Sequence, residues 1–272
     1  GTALTTGDNN VAVGYAAGDA LTSPNNNVAV GSEALTADTL GTTSVAIGRS
    51  ALKAQNFTTS TSTYNTAVGF VAGLSVTTGI RNTLIGAQAG DALTDADFNV
   101  ALGYNTLGSD TLGSHNTAIG YAALFTQNFT TATNSYNTAV GSNAGLSVTT
   151  GIRNVLLGGL AGDALTDADH NVAIGYQALT SDTLGSRAIA IGHNALANQN
   201  FTTATDSYNV GIGYSAGDAI TTGIFNVLIG GLAGDAITDA DFNIAVGTNA
   251  LSTNVLGSQN VAVGNAALNA MN

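Results

Sequence analysis

Nine aspartates stand in three near-identical frames, and their oxygens are the most concentrated chemistry in the chain. Asp91, Asp95 and Asp97 lie in Gly-Asp-Ala-Leu-Thr-Asp-Ala-Asp. Asp163, Asp167 and Asp169, then Asp235, Asp239 and Asp241, repeat the frame. Near the start Asp19 keeps its place, while Ser23 and Asn25 replace the other two. Clustered carboxylates on a turn suit a hard cation, and Ca²⁺ is the ion such a site would take. The spacing matches neither the EF-hand loop nor the Gly-rich nonapeptide. The competing reading is that these aspartates cap turns.

Aromatic residues form two further sets. Three segments, Gln55–Tyr64, Gln127–Tyr136 and Gln199–Tyr208, carry Phe57, Phe129 and Phe201 among Thr, Asn and Gln. An exposed ring with such neighbours suits a sugar, and loops on a rigid scaffold are where recognition concentrates. The alternative is that these rings plug a seam between subunits. The second set precedes a recurring Asn: Tyr64, Arg81, Phe98, His115, Tyr136, Arg153, His170, Arg187, Tyr208, Phe225, Phe242 and Gln259. In register, Arg beside an aromatic ring makes a cation–π pair. Tyr64, Arg81, Tyr136, Arg153 and Tyr208 are thus candidate ligand contacts. The alternative is a structural ladder over a corner of the coil.

Catalysis has little support. His115, His170 and His193 take repeat positions filled elsewhere by Arg, Phe or Tyr, and Glu33 is the only glutamate. No nucleophile elbow, phosphate loop or metal-ligand spacing is present. The chain reads as a non-enzyme that requires no cofactor.

What must position these residues is a five-residue strand motif, clearest as Asn-Val-Ala-Val-Gly ending at Gly14. Its Gly recurs at 31, 48, 69, 86, 103, 120, 141, 158, 175, 192, 213, 230, 247 and 264. Spacings of 17, with every fourth coil at 21, give a higher repeat of 72 residues. A fixed short period is the signature of a solenoid. The expected fold is all-β: a parallel β-solenoid of about fifteen 17-residue coils, forming one repetitive domain over 1–272. The residues three before and one before Gly are β-branched or Leu, and the residue between them is mostly Ala. A strand apolar on both faces is buried on both. The larger pair is expected to fill the lumen and the Ala column to sit at a seam with another copy. The Asn is expected to tolerate a left-handed turn and to form an amide ladder. The residue four after Gly is only Gly or Leu, in a pattern that repeats every four coils.

Composition narrows the partners. Charged residues are 8% and the net charge is −12, so a nucleic-acid or anionic-membrane partner is not expected, and no apolar run approaches the roughly 18 residues of a membrane span. The absence of cysteine excludes disulfides and leaves the compartment open. Residues 1–7 align with 217–223 in mid-repeat, so the chain is expected to be a segment of a longer fibre, open to end-to-end assembly.

The motif resembles the head repeats of trimeric autotransporter adhesins and similar repeats of phage tail fibres. Ser44-Val45-Ala46-Ile47-Gly48 and Asn171-Val172-Ala173-Ile174-Gly175 carry the likeness, which extends over essentially the whole chain. It implies a left-handed parallel β-roll, a homotrimer, and a role in attachment to a host receptor or cell-surface glycan. The implied location is extracellular, on a virion or a bacterial surface.

Overall fold

The computed structural model describes residues 6–269, which form an all-β parallel solenoid of about fifteen turns with no helix among the described residues. Residues 1–5 of the mid-repeat alignment lie outside the described part. The chain divides after Tyr136 into two compact units of the same construction. In the first, the strands of the long sheet are Val11–Val13, Val28–Val30, Val45–Ile47, Thr66–Val68, Thr83–Ile85, Val100–Leu102 and Thr117–Ile119. In the second they are Thr138–Val140, Val155–Leu157, Val172–Ile174, Ile189–Ile191, Val210–Ile212, Val227–Ile229, Ile244–Val246 and Val261–Val263, and two-residue strands such as Gly41–Thr42 with Thr61–Ser62 and Gly185–Ser186 with Thr205–Asp206 pair beside them. Pairing is parallel and residue for residue: Val28 faces Val45 and Ala29 faces Ala46, as Val172 faces Ile189 and Ala173 faces Ala190.

The strand faces are the reverse of the sequence expectation. The middle residue points inward: Ala29, Ala46, Ala67, Leu84, Ala101 and Ala173 are fully buried inside a single chain. The β-branched pair around it points outward and stays partly exposed. The Ala column therefore packs against its own coil and is not a seam between copies. The reason is volume. The narrow lumen already holds the Ala three after the motif Gly and one or two large side chains per coil, such as Leu84 with Leu93, which leaves no room for two β-branched columns besides.

The Gly-or-Leu alternation is the other half of this volume exchange. Where Leu stands four after the motif Gly, as at Leu35, Leu52, Leu107, Leu124, Leu179 and Leu196, it fills the lumen itself. The residue three further on is then polar: Asp38, Gln55, Asp110, Gln127, Asp182 and Gln199. Where Gly stands there, that later position is apolar and buried: Val76, Leu93, Val148, Leu165, Ile220 and Ile237. A Cβ on Gly90 would lie 2.8 Å from both Leu84 Cδ2 and Leu93 Cδ1. Each filled lumen position contributes roughly 1.5–3 kcal/mol of apolar burial.

The motif Asn column is buried and carries the expected amide ladder. Asn82 N donates to Asn65 Oδ1 at 2.9 Å, and Asn99 N to Asn82 Oδ1 at 3.0 Å. In the second unit Asn171 N donates to Asn154 Oδ1 at 2.9 Å. The side-chain nitrogens span back to backbone oxygens, as from Asn82 Nδ2 to Ala96 O at 2.7 Å. The left-handed residue is not the Asn but the one before it, at φ 51 for Tyr64, 58 for Arg81 and 58 for Phe98. The closing Gly has φ between 124 and 147 throughout, and a Cβ on Gly14, Gly48 or Gly175 would run into the backbone of the next coil.

Candidate functional site

Phe57, Phe129 and Phe201 are buried, at 7%, 6% and 6% exposure. This corrects the expectation of an exposed sugar platform. It equally removes the need for a subunit seam, because each ring is already covered within its own chain. Each ring sits above a polar network. Gln199 Nε2 donates to Asp182 Oδ2 at 2.6 Å, while Gly185 N and Phe201 N donate to Oδ1 at 3.0 Å each. Gln55 with Asp38, and Gln127 with Asp110, repeat the 2.6 Å contact. Burial pushes the Asp182 carboxyl up from its ordinary pKa, against the opposing hydrogen bond from Gln199. Tyr64, Tyr136 and Tyr208, at the end of each long-coil segment, remain exposed.

The aspartate frames are not gathered into one cluster. Asp95 Oδ1 accepts from Thr78 Oγ1 at 2.6 Å, and Asp97 Oδ1 accepts from Ile80 N at 2.7 Å. In the second unit Asp167 accepts from Thr150, Asp169 from Ile152 N, Asp239 from Thr222 and Asp241 from Ile224 N. These carboxylates cap, but across coils 17 residues apart rather than within their own turn. Asp91, Asp163 and Asp235 stand apart, and burial raises the pKa of each. Asp91 and Asp235 each leave Oδ1 without a hydrogen-bond partner. Among the described residues no three His, Cys, Asp or Glu side chains converge as a metal would need.

The residues before the motif Asn do form ladders. In the first unit the Arg81 guanidinium lies 5.1 Å from the Phe98 ring centre, Phe98 stacks on His115 at 4.7 Å, and His115 on Tyr136 at 4.9 Å. In the second, Arg153 Nη1 is 3.3 Å from His170 Nε2, and Arg187 lies over Tyr208. Tyr208, Phe225 and Phe242 then stack at 5.2 and 5.1 Å. The ring faces are taken up by one another, so the ladder presents ring edges outward. Two of the three histidines are ladder members.

A second ring column was missed from sequence. It is the residue just after the motif Gly: Tyr104 stacks on Tyr121 at 5.9 Å, Arg49 lies over Phe70, and His193 packs between Tyr176 and Tyr214. Its signal was available, since it shares strand parity with the β-branched pair. The outward face of a coil is thus four columns wide: ring or Arg, β-branched, β-branched or Leu, and ring again. Ile47 and Leu102 in the first unit, and Ile229 and Ile244 in the second, are more than a third exposed on it.

Residues and geometry together define a parallel β-solenoid with one broad apolar face bordered by ring ladders. No protein-family profile, no curated protein and no solved structure matches the chain.

Proposed function

We propose that this chain is the shaft of an extracellular homotrimeric attachment fibre, of a phage tail or a bacterial surface. The observation that carries the reading is the outward face of Val, Ile, Leu and Thr columns, left part-exposed along every coil of the single chain. A repeated apolar face of this extent is a protein-interaction surface, and an identical copy offers a matching one at every coil. With charged residues at 8%, little ionic surface opposes such contact. The fibre works mechanically: backbone ladders and a filled lumen hold side chains at fixed intervals. What it offers a host receptor or surface glycan is the rim of the long coils, where Thr58, Thr59, Ser60 and Tyr64 are exposed.

The test is a pair of variants followed by light scattering. Ile174→Asp with Ile191→Asp charges the outward face without entering the lumen, and is expected to release monomer. Thr59→Ala, at the rim of a long coil and off that face, is expected to leave the assembled mass unchanged. Unaltered association of the double Asp variant would overturn this choice of face.

A further inference from the structure

Three Asn-x-Ser/Thr triplets occur in the 272 residues: Asn56-Phe57-Thr58, Asn128-Phe129-Thr130 and Asn200-Phe201-Thr202. Every other Asn fails the pattern at its second following residue. All three triplets fall on the long coils, at one position of the 72-residue cycle. Such a triplet is the acceptor of an Asn-linked glycan, and it must sit on a surface loop to carry one.

The loops meet that demand atom by atom. Side chains alternate across an extended segment, so a buried Phe sends its two neighbours to the other side. Asn56, Thr58, Asn128, Thr130, Asn200 and Thr202 are all exposed, while the Phe between each pair is buried. The amide is held by its oxygen alone. Thr39 Oγ1 lies 3.2 Å from Asn56 Oδ1, Thr111 Oγ1 3.0 Å from Asn128 Oδ1, and Thr183 Oγ1 3.1 Å from Asn200 Oδ1. Nδ2, the atom a glycan would occupy, makes no hydrogen bond at any of these three exposed residues. Thr58, Thr130 and Thr202 do not serve the network that fixes the loop; Gln, Phe and the preceding coil's Asp do.

We infer that Asn56, Asn128 and Asn200 are acceptor sites for Asn-linked oligosaccharide. The donor class is a lipid-diphosphate-linked oligosaccharide. The amide nitrogen forms a bond to the anomeric carbon, the bond from that carbon to the diphosphate oxygen breaks, and the amide gives up one proton. The long-coil loops would then carry sugar. This inference does not depend on the fibre reading, because it rests on the loops and not on the outward strand face.

The test is secretion of the full chain from a cell line with an N-glycosylating secretory pathway, followed by intact-mass measurement of secreted and retained protein alike. The expected result is three glycans above the 26.8 kDa of the bare chain. All three should be removed by an amidase that leaves Asp at each occupied site. Thr58→Ala, Thr130→Ala and Thr202→Ala should each remove one glycan, and Thr58→Ser should retain it. These changes spare the Phe and the network beneath it, and an unchanged β circular dichroism signal checks the fold. A bare chain at 26.8 kDa, or a glycan count unmoved by the Thr→Ala changes, would overturn the inference.

Discussion

Asp182 and Gln199 lie one coil apart, and Gln199 Nε2 donates to Asp182 Oδ2 at 2.6 Å inside the lumen. The contact recurs at Asp38 with Gln55 and at Asp110 with Gln127, always where Leu has taken the apolar lumen position. The polar pair thus fills a slot that elsewhere holds Val, Leu or Ile. Asp182→Ala would leave Gln199 Nε2, Gly185 N and Phe201 N without their acceptor. Buried donors left so cost about 1–3 kcal/mol each, with incomplete additivity. The expected loss is on the order of 3 kcal/mol in denaturant unfolding; a loss under about 0.5 kcal/mol would contradict this role.

Acidification should stabilise the fold before it harms it. Burial raises the pKa of Asp91, Asp163, Asp182, Asp218 and Asp235, and Asp218 pushes Asp235 up further. A carboxyl whose folded pKa is raised favours the protonated form in the fold. Its stabilising contribution is full below the ordinary carboxylate pKa and is lost as pH rises through the folded value. Glu33 has the opposite sign, its pKa lowered by Lys53, but it is solvent-exposed and screened. The melting temperature is expected to rise as pH falls from neutrality toward the ordinary carboxylate range. A steady fall over that range would refute the sign.

The three Phe residues are structural anchors by this account. Phe201→Ala should cost about 3–5 kcal/mol through lost burial and a cavity. Saccharide binding, measured by calorimetry on the folded variant, should not change. Loss of sugar binding with unchanged stability would restore the platform reading.

Glycines differ in what they must do. Gly48 has φ 133 and packs against the Gly69 backbone, whereas Gly231 would meet nothing within 4 Å if it gained a Cβ. Gly48→Ala should destabilise by more than about 2 kcal/mol, and Gly231→Ala by less than about 0.5. Equal effects in thermal unfolding would contradict the coil-to-coil contact.

Much of this was legible in sequence. The Gly period, the Asn column and the four-coil Gly/Leu cycle gave the solenoid, the amide ladder and the higher repeat. What sequence could not say was which strand face is inside, because alternation defines two faces without ranking them. The expectation put Val28 and Val30 inside and Ala29 outside; lumen volume decided the opposite. The ring ladder at Tyr64, Arg81 and Phe98 shares strand parity with the Val and Ile pair that the expectation put inside. Parity holds, and the ladder is exposed because Val and Ile are outward too. Bulky residues at positive φ defy local preference there, and cross-coil bonds such as Arg81 N to Thr63 O at 2.7 Å hold them. The aspartates looked like a cluster in sequence because six or fewer residues separate them; in the coil Asp95 and Asp97 bond to the preceding coil, and Asp91 stands apart from them.

The most direct measurement is sedimentation of the purified wild-type chain, for both mass and frictional ratio. The account predicts a species of three times 26.8 kDa with the high frictional ratio of a rod. A compact monomer of 26.8 kDa at the highest concentration reached would contradict it, because the outward Val, Ile and Leu columns would then be stable in water unpartnered.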